Sequence, residues 1–324
     1  MRGVDLSRFD FDYDLTWAGF FLNAEDRVYG RFGGRDAKSA DGHLTLPGLK
    51  YAMRKALDAY RREPNALPSP APGAPRRVED YPEGRKLKAD QCIHCHQVYE
   101  FSRFEISRAG GWKKDMAWVY PPPDRIGLGL DPSQGDRVAA VAPNTPAATA
   151  GLRPGDVLRR VGGAPVASFA DVQYALNRAP AAGEIPVSYE RGGKARTATL
   201  RVPTGWRSGD LSNIAWRGSM WRLEPAASVY GDDLPAEEKR TLGLEPDALA
   251  FRQGNFVPNP ARQAGIKARD IILGLEGRPF RGGMLEFNVW VRMNFQPGQT
   301  IVYQVIRNGE RLRIPMTLTA RDWF

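Results

Sequence analysis

The sequence predicts an α+β protein built from several small modules, and three observations carry that reading. The chain repeats itself: Ala150-Gly151-Leu152-Arg153-Pro154-Gly155-Asp156-Val157-Leu158 lines up, 114 residues on, with Ala264-Gly265-Ile266-Lys267-Ala268-Arg269-Asp270-Ile271-Ile272. Near the N-terminus, short apolar runs of strand length are followed by a stretch with helical spacing. Between these regions, residues 63–80 hold five prolines and almost no bulky apolar side chains, which is linker composition.

With 324 residues, 42% of them hydrophobic, the chain can bury more than one core. No run of 18 or more apolar residues exists, so no membrane-spanning helix is expected. The formal charge of +9 is dispersed and no basic block is interleaved with aromatics, so nucleic acid is not an expected partner. The 34 glycines and 26 prolines predict many turns. Only two cysteines are present, close together, which excludes a disulfide framework and points to a metal, redox or cofactor motif.

Residues 1–62 read as one ordered module. Thr16 to Leu22 is a buried strand, Asn23 to Asp26 a turn, and Arg27 to Phe32 the return strand. After Gly33-Gly34, the residues Leu49, Met53, Ala56, Leu57 and Tyr60 recur at helical spacing, with Pro47 near the helix start. This order resembles the closing half of a thioredoxin-like domain, and the chain resembles bacterial thioredoxin-like proteins that carry PDZ domains at their C-terminus. The resemblance implies that the opening half, with any catalytic thiol, would precede Met1. Leu15-Thr16 stands where many thioredoxins place a cis-proline, so no redox activity is expected of this module.

In the repeat, Pro146-Ala147 matches Pro260-Ala261, and Gly163 and Pro165 match Gly277 and Pro279. Ala-Gly ends a short helix in the left-handed conformation that such ends need. Pro154-Gly155-Asp156 then turns tightly into an apolar strand. Copy two has Ala268-Arg269 at that turn, which predicts a differently built one. The pattern resembles the bacterial PDZ fold, which implies two tandem PDZ-like β-barrels, 124–205 and 241–320, joined by a connector, 206–240. PDZ domains take an extended peptide or C-terminus as an added strand. The loop receiving the peptide carboxylate is expected at Ile126, Gly127, Leu128, Gly129 and Leu130 in copy one, beside a helix over 169–178. In copy two it is expected at Leu249, Ala250 and Phe251. The grooves could instead be filled by the protein's own segments, the connector with Trp206, Trp216 and Trp221 among them. No Gly-x-Ser-x-Gly occurs and only His43, His94 and His96 are available, so no Ser-His-Asp set is expected and proteolysis is excluded on the sequence.

Residues 81–123 surround Cys92-Ile93-His94-Cys95-His96, the attachment signature of c-type haem. Cys92 and Cys95 would carry the thioethers, His96 would be the axial ligand, and Met116 is a candidate sixth ligand. Val98, Tyr99, Phe101, Phe104, Trp112, Trp118 and Tyr120 would supply cover. Alternatives are a DsbA-like thiol–disulfide oxidoreductase centre, a Zn or Cu site, or a structural disulfide. The expected function is therefore an extracytoplasmic, periplasmic haem-c PDZ protein coupling redox or ligand sensing to peptide docking. A non-catalytic interaction scaffold is the alternative. Haem attachment outside the cytoplasm, with no export signal visible, leads to the expectation that the natural chain begins upstream of Met1.

Overall fold

The computed structural model describes residues 1–62 and 75–320, so most of the expected linker lies outside the described residues. The fold is mixed α/β, in two compact units that meet between Asn213 and Ile214. No described helix is long and apolar enough to cross a membrane.

The first unit opens with an antiparallel hairpin, β1 (Ala18–Leu22) and β2 (Val28–Gly33). Asn23 fixes its turn by accepting the backbone N–H groups of Glu25 and Arg27, while Asp26 takes a positive φ. These strands pair only with each other. β2 instead lies against a helix of the sheet that follows, so the hairpin joins that sheet's packing and not a thioredoxin's central sheet. Helix α1 (Leu46–Arg62) buries Gly48, Ala52 and Ala56, and leaves Met53, Leu57 and Tyr60 exposed. Of the residues at the expected helical spacing, Ala56 is thus buried, whereas Met53, Leu57 and Tyr60 face outward. Only the small side chains let the helix approach β2 and the sheet closely: a Cβ on Gly48 would meet the carbonyl of Pro132 at 2.4 Å.

Helices α2 (Pro82–Arg85) and α3 (Gln97–Arg108) follow. Their segment shares a core with residues 1–15. Leu6 N–H donates to Arg76 O (2.7 Å), Tyr13 packs edge-on to Tyr99, and Tyr120 O–H donates to Asp10 (2.6 Å). Val98, Phe101, Trp118 and Tyr120 are buried in this packing and serve as ordinary core.

The main sheet of the first unit runs β3 (Leu128–Asp131), β4 (Gln134–Val141), β5 (Val157–Val161), β7 (Gly183–Arg191), β8 (Lys194–Val202), with the short β6 (Ala164–Pro165) beside β5. Helix α4 (Pro146–Thr149) is capped by Thr145, and α5 (Phe169–Asn177) by Ser168. The single turn α6 (Ser212–Ala215) spans the boundary to the second unit. There β9 (Gly231–Asp233), helix α7 (Ala236–Thr241), β10 (Phe251–Gln253), α8 (Asn259–Ala264), β11 (Ile271–Leu275), α9 (Met284–Asn294), β12 (Thr300–Arg307) and β13 (Glu310–Thr317) build a sheet of order β13-β12-β11-β10-β9.

The sequence repeat has a structural basis in both units. Each closing hairpin turns through two residues of positive φ, Gly192-Gly193 and Asn308-Gly309, the backbone twist that joins adjacent strands best. In each, a buried aspartate receives a two-pronged arginine: Arg191 on Asp156 (2.7 and 2.8 Å) and Arg307 on Asp270 (2.7 and 2.7 Å). The same arginines donate to Gly151 O and Gly265 O, the left-handed residues that end α4 and α8. One ion pair thus ties the helix end, the tight turn and the hairpin together in each copy.

The expectation of a differently built turn in copy two is corrected. Gly155 N–H donates to Val138 O at 2.8 Å, and Arg269 N–H donates to Gln253 O at 2.9 Å, in the same loop. Gly155 sits at φ +92° and Arg269 is held at φ +69°, where a Cβ is unfavourable. Replacing Arg269 with glycine should therefore stabilise the second unit by about 0.5–1 kcal/mol, strain relief exceeding the added chain entropy. Urea denaturation of the full chain would show it; an unchanged or lowered midpoint would mean the position is unstrained.

Candidate functional site

β3 is an edge strand of its sheet, with its outer side unpaired by any strand among the described residues. A 3-10 turn, Pro123–Ile126, leads into it, and Gly127 ends that turn at φ +87°. Ile126, Leu128 and Leu130 point inward and are buried, while Gly129 is partly accessible. The predicted loop residues 126–130 therefore stand together at one sheet edge. On α5, Phe169, Gln173 and Leu176 fall on one helical stripe by their spacing. An open strand edge, a glycine-bearing turn and a helix stripe are the parts that strand addition uses.

Copy two differs. Leu249, Ala250 and Phe251, the expected loop, are 2%, 0% and 0% exposed, Leu249 and Phe251 in the main core of the unit and Ala250 in a second cluster with Leu234, Ile271 and Ile306. β10 is an inner strand, paired on one side with β11 and on the other with β9. The edge is β9, which sequence reasoning missed because α7 is inserted between β9 and β10 and breaks the repeat's spacing. That edge is held by α9: Asn288 Nδ2 donates to Val229 O at 3.0 Å and Met284 N–H to Asp233 Oδ1 at 2.8 Å. The helix is bonded directly to the edge-strand region, whereas α5 of copy one bonds through Asn177 and Gln173 to Tyr120, in the segment ahead of β3.

Helix α5 of copy one is also in contact with the N-terminal residues, through side chains outside that stripe. Arg31 N–H donates to Asp171 Oδ1 (2.9 Å), Ser168 donates to Arg31 O, and the Arg31 guanidinium lies 3.5 Å over the Tyr174 ring. Asp171 also accepts the Ala167 N–H at 3.0 Å. Burial pushes its carboxyl up to about 6, with Arg31 and these donors opposing the rise. A carboxyl raised on folding favours the folded state below about pH 4 and loses that contribution as pH rises to about 6. An NMR titration should show the Asp171 carboxyl carbon with a midpoint near 6, and a midpoint at 4 or lower would show that its donors outweigh burial.

Cys92 is exposed, Cys95 is partly so, and both are free thiols. They lie ahead of α3, whose N-cap is His96; His96 Nδ1 pairs with the buried Glu100 at 2.8 Å, and the His94 and His96 rings stack at 5.7 Å. Met116 is 42% exposed. Among the described residues no group of three or more His, Cys, Asp or Glu side chains could hold a metal ion. The third histidine, His43, pairs through Nε2 with Asp36 at 3.1 Å, and its buried Nδ1 has no hydrogen-bond partner. It is thus not joined to a serine.

Residues 125–202 match the PDZ domain family model, so a PDZ domain is present in the first unit. The chain is 28% identical to the magnetosome formation protease MamE of Paramagnetospirillum magneticum over 233 residues, 61% of this chain and 32% of that protein. It is 26% identical to the periplasmic serine endoprotease DegP of Salmonella typhimurium over 152 residues, 47% of this chain and 28% of that protein. The chain thus spans about a third of the length of these relatives. Among solved structures, the HtrA3 PDZ domain bound to a phage-derived ligand aligns over 24% of this chain and 83% of its own, at 24% identity and a TM-score of 0.21.

These relatives overturn the function expected from Cys92, Cys95 and His96. They are named as a magnetosome formation protease and a periplasmic serine endoprotease, and nothing in the comparisons supports a haem-coupled or redox function. The family model that matches covers the PDZ residues and not residues 1–62, so the thioredoxin resemblance gains no support from it.

Proposed function

We propose that this chain serves HtrA-type proteolysis by recognising polypeptide ends, its first PDZ unit docking an extended C-terminal segment along β3. The observation that carries this is the unpaired β3 edge, preceded by the Gly127 turn, within the residues that match the PDZ model. Backbone amides at the start of β3, after Gly127, receive the terminal carboxylate in this reading, and apolar peptide side chains meet the α5 stripe. The second unit is a PDZ-like repeat with a structural role. Its Asp270–Arg307 pair supports the repeat, and the direct bonds of α9 to Val229 and Asp233 support a closed edge. The reading places the chain in the periplasm, where the DegP relative acts by name. Peptide-bond hydrolysis is not assigned to the described residues, given the surroundings of His43.

The test is fluorescence anisotropy of peptides ending in an apolar residue, free-acid against amidated, added to the full chain. Amidation should weaken binding about tenfold or more, the loss of one charge-assisted carboxylate contact. Equal binding of the two peptides would remove the carboxylate-docking reading.

A further inference from the structure

The strongest unassigned feature is the segment between β2 and α1. Gly34 lies against the α5 stripe: a Cβ there would fall 2.4 Å from Gln173 Oε1 and 2.8 Å from the Phe169 ring. Gln173, only 2% exposed, spends its amide donors on Arg35 O (3.3 Å) and Tyr120 O (3.1 Å). The His43 ring lies flat on Phe169, centroids 3.7 Å apart and 14° from parallel. The segment also reaches both ends of β3. At the start, Asp36 and Lys38 act electrostatically on Asp124, in the turn that leads into the strand. At the far end, Thr45 donates to Pro132 O at 2.8 Å, and Thr45 Oγ1 also accepts the Gly48 N–H that begins α1. Within the segment, Asp36 accepts the N–H groups of Lys38 and Ser39 and pairs with His43, so it is folded on itself.

The helix stripe and the far end of the edge strand thus hold one loop, whose charges also act on the turn at the strand's start. We propose that residues Gly34–Thr45 are a built-in plug over the peptide groove of the first PDZ unit, so that docking requires this loop to leave. The inference rests on the peptide-docking reading above and adds an autoinhibited state to it. A peptide side chain cannot meet Phe169 or Gln173 while His43 and Arg35 hold them, so peptide and plug compete for the same atoms. The hinges are Gly33 and Gly34, both at positive φ, and the Thr45 cap of α1.

If the plug is closed nine-tenths of the time or more, apparent peptide affinity is lowered about tenfold or more. The experiment compares full-length wild type with two variants, His43→Ala and a replacement of residues 35–44 by a Gly/Ser stretch of equal length. Free-acid and amidated peptides are the probes, and hydrogen exchange of residues 34–45 is followed with and without peptide. The plug predicts that both variants bind the free acid more tightly, the replacement by about tenfold or more, and that peptide accelerates exchange in wild-type 34–45. Should the replacement fail to fold, His43→Ala and the exchange readout decide alone. Carboxylate-dependent binding that is equal in all three proteins, with 34–45 still protected, overturns the plug and leaves the docking reading intact. Binding that ignores the carboxylate in every protein overturns both.

Discussion

Gly127→Val will destabilise the first unit by about 3–5 kcal/mol and abolish carboxylate-dependent peptide binding, the largest effect expected of any single change at the β3 edge. Two costs combine. At φ +87° an L-residue meets its own carbonyl, which costs roughly 1–2 kcal/mol. The new Cβ would also fall 2.0 Å from Thr145 Oγ1 and 2.4 Å from Thr145 Cβ. Thr145 cannot easily yield, because its hydroxyl caps α4 through Ala148 N–H and donates to Ala142 O at 2.7 Å. Losing that cap costs about 1 kcal/mol more. Gly129→Ala is the matched control: that glycine has ordinary strand geometry, and its Cβ would approach Ala140, with 3.3 Å to Cβ and 3.7 Å or more to its backbone. It should change stability by less than about 1 kcal/mol. Urea denaturation of both variants with the anisotropy assay checks this, and similar costs at the two glycines would mean that the Gly127 turn is not what holds the edge.

The parts of this fold that were legible in the sequence are those fixed by local backbone chemistry. Gly151 and Gly265 end helices, Asn308-Gly309 turns a hairpin, and Asp156 and Asp270 sit at equivalent points of a repeat, all recognisable without knowing what packs on what. The parts that were not legible depend on non-local contact. Nothing in Gly34-Arg35-Asp36 or His43 announces a helix more than 120 residues away, so the search for a groove-filling segment settled on the tryptophans of 206–240. In α1 the expected spacing included the buried Ala56 but was dominated by Met53, Leu57 and Tyr60, which are larger and more apolar than the other buried residues, Gly48 and Ala52. Close packing against a glycine-rich strand selects the small face nonetheless. Copy two's edge was missed since an inserted helix, α7, shifts it off the repeat's register. The cysteine motif misled for another reason. Two thiols and a histidine specify ligand chemistry at five positions, and the class of the surrounding protein is carried elsewhere in the chain.

Arg191→Met should lower the melting temperature of the first unit by roughly 5–10 °C at pH 7, with a loss that shrinks in acid. In the wild type, burial alone would raise the Asp156 carboxyl. The Arg191 guanidinium and the Arg153 N–H (2.8 Å) outweigh it and hold the group below its ordinary value. A carboxylate lowered on folding contributes stability at pH values above its unfolded value of about 4, and that contribution is lost as pH falls through the folded value. The variant reverses the sign. Asp156, whose side chain is 1% exposed, keeps only the Arg153 N–H, so its charge is uncompensated at pH 7 and protonation becomes favourable to folding. From pH 7 to pH 4.5 the wild type should therefore keep the Asp156 contribution, since that window lies above the unfolded value, while the variant gains stability as its Asp156 is protonated, so the gap between them should narrow. Adding Asp156→Asn to Arg191→Met should recover part of the loss at pH 7 by removing the stranded charge. Thermal denaturation of the full chain at the two pH values, with this double variant, reads all three outcomes. A gap that stays constant with pH would mean that Arg191 acts through packing and its bond to Gly151 O, and not through the charge of Asp156.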